Sequence, residues 1–193
     1  MWMTKRGQRW SWPEPRVWEP SGAGDPPPMR VLGVDPGTAA TGYGLVEAVS
    51  GSYRLIECGV VRPRGSRDLA DRLEQIYVEL RAVIERLEPT CMAVEGVFHS
   101  KNTRTVVVLA HARGVALLAG AQCGLTVAEY APAEIKKAVV GTGRASKDQV
   151  GYMVQKLLHL AEQPRPADAA DGCAAALCHL IVSRPALAAA VRQ

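Results

Sequence analysis

Two acidic residues near the C-terminus stand three positions apart at a predicted helix start. In the segment "PADAAD", Asp168 and Asp171 follow Pro166 by two and five positions. Acidic side chains in a first helical turn complement the positive end of the helix dipole, and proline suits the first helical position. The spacing alone is therefore typical of an ordinary helix start. A metal-binding role would need further ligands from elsewhere in the chain.

Two further carboxylates lie at the ends of predicted buried strands. The apolar run "MRVLGVD" ends in Asp35, and Glu95 lies near the end of "CMAVEGV". Ligand sites in sheets of this type form at the carboxyl ends of the strands. A carboxylate among apolar neighbours is costly to bury without a partner, so an ion pair with an arginine or a frayed strand end would also explain Glu95.

The four carboxylates together favour a metal site over a helix cap. Residues three apart share one helix face, and the alanines and Gly172 around Asp168 and Asp171 make that helix thin enough to dock closely on a sheet. Four converging carboxylates would repel one another and raise their pKa values unless a cation lay among them. An all-oxygen ligand set suits magnesium or manganese rather than zinc.

The elements that must position these residues alternate in type along the chain. Short connections join the first three strands and predict an antiparallel meander. Ser66 is the expected N-cap of the first helix, which Pro89 follows. The predicted strands are 29–35, 43–49, 53–61, 91–97 and 125–130, and the predicted helices are 66–88, 103–122, 133–140, 146–160 and 167–183. This order predicts a five-stranded mixed sheet, three antiparallel strands and then parallel strands, with helices on both faces.

Composition indicates one globular domain. The 193 residues are 48% hydrophobic and 22% charged, which suffices for a buried core. Residues 1–28 hold all four tryptophans but show no helical or strand periodicity. We interpret them as a disordered extension or as a start codon assigned too early, with Met29 as the functional start. The predicted domain spans residues 29–183, and residues 184–193 form a C-terminal tail.

Cysteine usage and hydropathy indicate a cytoplasmic protein. The five cysteines are odd in number and form no Cys-x-x-Cys pair, which argues against a disulfide framework and a structural zinc site. The longest apolar run, "VVVLAHARGVALLAGA", contains His111 and Arg113, so it argues against a membrane span.

Positive charge is concentrated in one segment. Residues 136–156 contain five lysines and arginines and a single acidic residue, Asp148. This segment therefore carries as much net positive charge as the whole chain, which is +4. Such a segment is usually a solvated face. It is also the minimum electrostatic footprint of a nucleic-acid-binding protein.

Five segments resemble the RuvC family of Holliday-junction resolvases, which belongs to the ribonuclease H-like nuclease superfamily. They are "LGVDPGTAATGYG", "AVEGVFHSKN", "ARGVALLAG", "EYAPAEIKKAVVGTGRASKDQV" and "PRPADAADGCAAA", in the order and spacing of that family. The resemblance implies a ribonuclease H-like fold. It also implies that the family's four catalytic, metal-binding carboxylates are Asp35, Glu95, Asp168 and Asp171.

The resemblance implies a chemistry as well. Two magnesium ions, for which manganese can substitute, would support phosphodiester hydrolysis that leaves 5′-phosphate and 3′-hydroxyl ends. Lys147 would be catalytic and lie near the scissile phosphate, although phosphate positioning alone is the simpler role. Phe98 resembles an aromatic residue that stacks on opened bases, or else it anchors its loop. The DNA-binding residues expected from the resemblance are Phe98, Lys101, Asn102, Lys136, Lys137, Arg144 and Lys147.

The partners expected from the resemblance are a four-way DNA junction, which receives paired symmetric nicks, and the RuvA and RuvB branch-migration complex. The two-fold symmetry of a junction also predicts a homodimer. The apolar helix 103–122 is its candidate interface, with a place in the core as the alternative role for most of its residues.

Two other functions remain open from the sequence. "GVDPGT" also fits the phosphate loop of an actin-like ATPase or sugar kinase, but such an enzyme needs a second domain of the same kind. A junction-binding scaffold without catalysis would also fit, although the four intact carboxylates argue against it.

Overall fold

A computed structural model describes residues 28–49, 51–65, 68–96 and 103–190, without the side chains of residues 103, 104 and 184–190. The predicted element order is confirmed there. The elements are β1 (Arg30–Asp35), β2 (Thr41–Val49), β3 (Ser52–Val61), α1 (Leu69–Leu87), β4 (Cys91–Glu95), α2 (Thr103–Gln122), β5 (Thr126–Tyr130), α3 (Pro132–Val140), α4 (Lys147–Leu157) and α5 (Ala167–Ala190). The predictions for residues 1–27 lie outside the described residues.

The strands form one mixed sheet in the order β3-β2-β1-β4-β5. β1 pairs antiparallel with β2 and parallel with β4, β2 pairs antiparallel with β3, and β4 pairs parallel with β5. The predicted five-stranded mixed sheet is therefore confirmed. Because of these pairings, β1, β3, β4 and β5 all end at the same edge of the sheet.

Helices cover both faces of the sheet, as predicted. The packing of β1 explains why its sequence is apolar throughout. Val31 packs into the core beneath α3, α4 and α5, whereas Leu32 and Val34 pack into the core beneath α1 and α2. All three side chains are completely buried. A strand with two covered faces cannot alternate polar and apolar residues.

Helix α1 has the expected amphipathic face but begins later than predicted. It starts at Leu69 with Asp68 before it, and Ser66, the predicted cap, lies outside the described residues. At its C-terminus Glu88 is left-handed (φ 47°), and its N–H donates to the Ile84 carbonyl over 3.0 Å. Pro89 then follows in the connection to β4.

Helix α2 is apolar yet only partly covered. Its segment Thr105–Gln122 is long and apolar enough to span a membrane by length and composition alone, with a mean hydropathy of 1.4 and 22% of it buried. In the fold, this helix connects two neighbouring strands of one sheet and packs against α1, β4 and β5. Arg113, in its middle, forms an ion pair with Glu129 of β5. The arrangement is that of a helix packed on a sheet.

Helix α5 lies against the centre of the sheet and is longer than predicted. It extends to Ala190 rather than to residue 183, because the alanine-rich segment after Pro185 has a high helix propensity. Its middle is completely buried, including Cys173, Ala175 and Leu177. Small side chains there allow the helix backbone to approach β1 and β2 closely.

Candidate functional site

A carboxylate-lined pocket opens at the edge of the sheet where β1 and β4 end. Its volume is about 440 Å³. β1 and β4 contribute their last residues, and α3, α4 and α5 contribute residues from their first turns or just beyond. The lining comprises Asp35, Pro36, Gly37, Ala40, Glu95, Gly96, Leu109, Pro132, Ile135, Lys136, Lys147, Val150, Asp168, Asp171 and Ala174. All four predicted carboxylates therefore meet in one cavity.

The two strand-end carboxylates lie deepest in the pocket. Burial, followed by the nearby charge of Asp171, raises the pKa of Asp35 to about 6, although Lys147 opposes the shift. Burial, followed by the charges of Asp35 and Asp171, raises the pKa of Glu95 to about 8. Burial, together with the charges of the neighbouring carboxylates, therefore favours the neutral form of both groups.

The two carboxylates of α5 have cationic partners at the mouth of the pocket. The Lys147 ammonium donates to Oδ2 of Asp171 over 2.9 Å. The Arg62 guanidinium donates to Oδ2 of Asp168 over 3.3 Å. The hydrogen bond from Lys147 to Asp171 also raises the pKa of the lysine.

A capping box fixes the start of α4, where Lys147 is the first helical residue. The Ser146 hydroxyl accepts from the Gln149 N–H over 3.2 Å, and the Gln149 side-chain oxygen accepts from the Ser146 N–H over 2.8 Å. Two otherwise unpaired donors are thereby satisfied, so the helix start is well defined. Lys147 thus has a fixed backbone and a long, largely exposed side chain.

Glycine contacts place the first turn of α5 against the sheet. A Cβ added at Gly42 of β2 would lie 1.8 Å from the Asp168 carbonyl oxygen, and one added at Gly172 would lie 2.6 Å from the Tyr43 Cα. Neither distance is compatible with a side chain. Backbone-to-backbone packing therefore sets the height of Asp168 and Asp171 above Asp35.

The chemistry of these side chains fits a hard divalent cation. The donors are carboxylate oxygens, two of them largely buried, and the raised pKa values of Asp35 and Glu95 indicate that a cation would be stabilised there. Among the described residues, no group of three or more acidic, histidine or cysteine side chains is close enough to hold an ion as arranged. Asp168 and Asp171 are instead paired with Arg62 and Lys147.

The other predicted site residues have different positions. Lys136 lines the pocket, and its charge lowers the pKa of Glu95. Lys137 and Arg144 are exposed on α3 and on the turn after it, and neither lines this pocket. Phe98, Lys101 and Asn102 fall in the segment 97–102, which lies outside the described residues.

Arg62 is a site residue that the sequence analysis missed. It follows β3 directly, and β3 is parallel to β1 because both are antiparallel to β2. The residue after β3 must therefore lie at the same edge as Asp35. The predicted meander already implied this position, but Arg62 carries no carboxylate and was not singled out.

The strand order and the carboxylate-lined edge define an α/β protein of the ribonuclease H-like class. Residues 31–179 match the profile of the family described as crossover junction endodeoxyribonuclease RuvC. A relative of that name from Moorella thermoacetica is 53% identical over 151 residues, 78% of this chain and 90% of the relative. One from Frankia alni is 52% identical over 153 residues, 79% of this chain and 78% of the relative.

Comparison with solved structures identifies the same family. Thermus thermophilus RuvC in complex with a Holliday junction substrate is 34% identical and has a TM-score of 0.76, and the similarity covers 82% of this chain and 96% of that chain. The chain belongs to the RuvC family of crossover junction endodeoxyribonucleases.

Proposed function

We propose that this chain is a structure-selective endonuclease that resolves Holliday junctions in recombination and repair by paired symmetric nicks. The observation that carries the proposal is the convergence of four carboxylates and Lys147 in one pocket at the sheet edge. The Thermus thermophilus relative in complex with a Holliday junction supports the substrate. Each nick hydrolyses a phosphodiester and leaves 5′-phosphate and 3′-hydroxyl ends.

Asp35, Glu95, Asp168 and Asp171 would hold two Mg²⁺ ions, and Mn²⁺ can replace Mg²⁺. Bound there, the ions would supply an activated water and stabilise negative charge on the phosphate and the leaving oxygen. Asp35 and Glu95 have fixed positions at their strand ends. Asp168 and Asp171 are paired through Oδ2 with Arg62 and Lys147, so these two side chains would compete with the ions for the same carboxylates.

The lysine side chains of the pocket suit a negatively charged DNA substrate. Lys147 has a side chain that is 76% exposed. Freed from Asp171, its ammonium can reach a phosphate at the mouth of the pocket and balance the charge that develops during hydrolysis. Lys136 also lines the pocket, from α3, and would bind the adjacent phosphate. Binding at these positions is independent of base sequence.

The wider DNA surface extends from this mouth. Lys137 and Arg144 are exposed beside the pocket and would contact phosphates farther along the strand. We assign the same role to Lys101 and Asn102, and base stacking to Phe98, from the family resemblance. These assignments predict weaker junction binding at higher salt for each lost cation.

A nucleotide-binding cleft is less consistent with the turn after β1. The Gly37 N–H donates to the Thr41 hydroxyl over 3.3 Å, and that hydroxyl donates to the Gly37 carbonyl over 2.8 Å. These hydrogen bonds close the turn on itself, so this amide does not face a phosphate. Thermal stabilisation by ATP would argue for the kinase alternative.

The exposed apolar side of α2 is the dimer surface that we propose. Val107 and Leu118 are 50% and 46% exposed, and large apolar side chains on one helix suit a second copy that brings its own site to the symmetric junction. Leu118→Glu should give a monomer in analytical ultracentrifugation. Val78→Glu, at an equally exposed position of α1, should not change the oligomeric state. A dimeric Leu118→Glu variant would contradict this surface.

We expect the protein to act in the cytoplasm with the RuvA and RuvB branch-migration complex. Both expectations come from the family. Co-purification with a RuvA–RuvB–junction complex tests the partnership, and junction DNA without these proteins is the control.

Junction cleavage tests the proposed function most directly. Wild type and Asp168→Asn are compared on a synthetic four-way junction with Mg²⁺, with Mn²⁺ and with EDTA. The asparagine keeps the shape of the side chain but removes its charge, so we expect junction binding to persist and nicking to fall at least about 100-fold. Asp148→Asn, an exposed acidic residue of α4, is the control. Wild-type protein that binds but never nicks would establish the scaffold alternative.

A further inference from the structure

Two cysteines from distant parts of the chain lie side by side between α5 and the sheet. Cys173 of α5 lies above Gly44 of β2, where a Cβ added to the glycine would be 2.4 Å from the cysteine sulfur. Cys58 of β3 is the direct cross-strand partner of Gly44. Cross-strand partners point to the same face of a sheet, so Cys58 also faces α5. Gly44 therefore leaves the space in which the two sulfurs meet.

The two thiols are in contact and differ in access to solvent. Cys173 is completely buried, whereas Cys58 is partly exposed on the edge strand β3. A hydrogen bond from the Cys173 thiol lowers the pKa of Cys58 to about 7, although burial and the charge of Glu57 oppose the shift. Cys58 is thus a partly accessible thiol with a protected neighbour.

We propose that Cys58 and Cys173 form a redox-active thiol pair that a hydroperoxide oxidises to an intramolecular disulfide between β3 and α5. The Cys58 sulfur attacks the peroxide O–O bond, takes up one oxygen as a sulfenic acid and releases hydroxide or an alkoxide. The Cys173 sulfur then attacks the sulfenic sulfur and expels its oxygen as water. The thiols lose two electrons and two protons, and the peroxide is reduced.

The position of Cys173 gives this pair its significance. It lies two residues after Asp171 on α5, whose first turn is already packed on β2 at Gly42. The disulfide would add a covalent link between that helix and the edge strand. It would also divert the Cys58 sulfenic acid from irreversible overoxidation. The proposal does not depend on the nuclease function.

The test is a thiol count on the full, reduced chain. The protein is treated with equimolar hydrogen peroxide in metal-free buffer, denatured and alkylated with a maleimide. Intact mass should show five alkylated cysteines before oxidation and three after it. Dithiothreitol should restore all five. Tryptic mapping should show the peptides that contain Cys58 and Cys173 joined only in the oxidised sample.

Single variants identify the partners. Cys58→Ser should keep all four of its remaining thiols free. With excess hydrogen peroxide, because sulfinic acid requires a second equivalent, Cys173→Ala should give no disulfide and accumulate sulfinic acid at Cys58. If this core variant fails to fold, Cys58→Ser and the wild-type map decide the matter. Cys123 is partly exposed on the other side of the sheet. Cys123→Ala and Cys178→Ala should both still form the disulfide between Cys58 and Cys173. A wild type that keeps five free thiols, links a different pair or forms only intermolecular dimers would overturn the proposal.

Discussion

Replacing Gly42 with alanine should damage fold and site together, because this glycine touches the backbone that carries Asp168. An alanine Cβ would lie 1.8 Å from the Asp168 carbonyl oxygen, whereas ordinary contact begins near 3.4 Å, so the first turn of α5 must move by about 1.6 Å. No side-chain rotation can relieve the clash, because the atoms that it meets belong to the backbone. The helix must therefore shift or the strand must deform.

The expected cost follows from that displacement. Overpacking a well-packed core costs about 1–3 kcal/mol, and we expect the upper end of that range for Gly42→Ala because only backbone can yield. Misplacement of catalytic groups by about 1 Å can lower a rate about 100-fold. Gly42→Ala should therefore lose about 3 kcal/mol of unfolding free energy, and its remaining folded fraction should nick junctions at least about 100-fold more slowly.

Urea denaturation without metal measures the first effect, and single-turnover nicking of a four-way junction measures the second. Gly96→Ala is the matched control for stability: its Cβ would lie 3.4 Å from the Tyr130 carbonyl oxygen, an ordinary contact at the same edge of the sheet. Its unfolding free energy should stay within about 0.5 kcal/mol of wild type, as for substitutions that disturb no contact. If Gly42→Ala is as stable and as active as wild type, backbone packing does not position Asp168.

Three other predictions concern the charges of the pocket. The pKa of Glu95 is raised from 4.5 to about 8, so between these values the native state keeps a proton that the unfolded chain releases. Without metal, the unfolding free energy of wild type should therefore decrease between about pH 5 and about pH 8. In thermal melts, this decrease should exceed that of Glu95→Gln by on the order of 3 kcal/mol. Lys147→Ala should slow nicking about 100-fold, and Lys156→Ala on the same helix should not; equal rates would remove Lys147 from the chemistry. Arg62→Ala should cost less than about 1 kcal/mol in urea, because its ion pair is exposed, yet should bind Mg²⁺ more tightly by calorimetry, because Asp168 is freed. Unchanged Mg²⁺ affinity would show that Arg62 does not compete for Asp168.

Local patterns were enough to predict the secondary structure. The apolar run of β1 and the spacing of Ile76, Leu80 and Val83 in α1 each match one periodicity, and those side chains are buried. The predicted end of α5 at residue 183 was wrong, because Pro185 does not end the helix and the alanine-rich segment after it continues to Ala190. Where such a helix ends depends on contacts that a local pattern does not contain.

The pocket was predicted in part, for a different reason. Asp35 and Glu95 end parallel strands, so topology alone predicted that they would converge. The spacing of Asp168 and Asp171 alone also fits an ordinary helix start, so their assignment to the same site needed Asp35 and Glu95 as further ligands, and the family resemblance implied the same four residues. Arg62 was missed because only strand ends that carry carboxylates were considered, although the predicted meander already implied its position; its ion pair with Asp168 joins residues 106 positions apart.

The order of elements, the two covered faces of the sheet and the identity of the four carboxylates were set by the sequence, since each rests on residues close together in the chain. The height of α5 above β2, the pairing of Lys147 and Arg62 with the helix carboxylates, and the contact of Cys58 with Cys173 were decided by tertiary structure alone. These features join residues far apart in sequence, and their distances depend on how closely glycine allows two backbones to approach. The segment "PADAAD" specifies a helix start, and packing on Gly42 makes that start one wall of a carboxylate pocket.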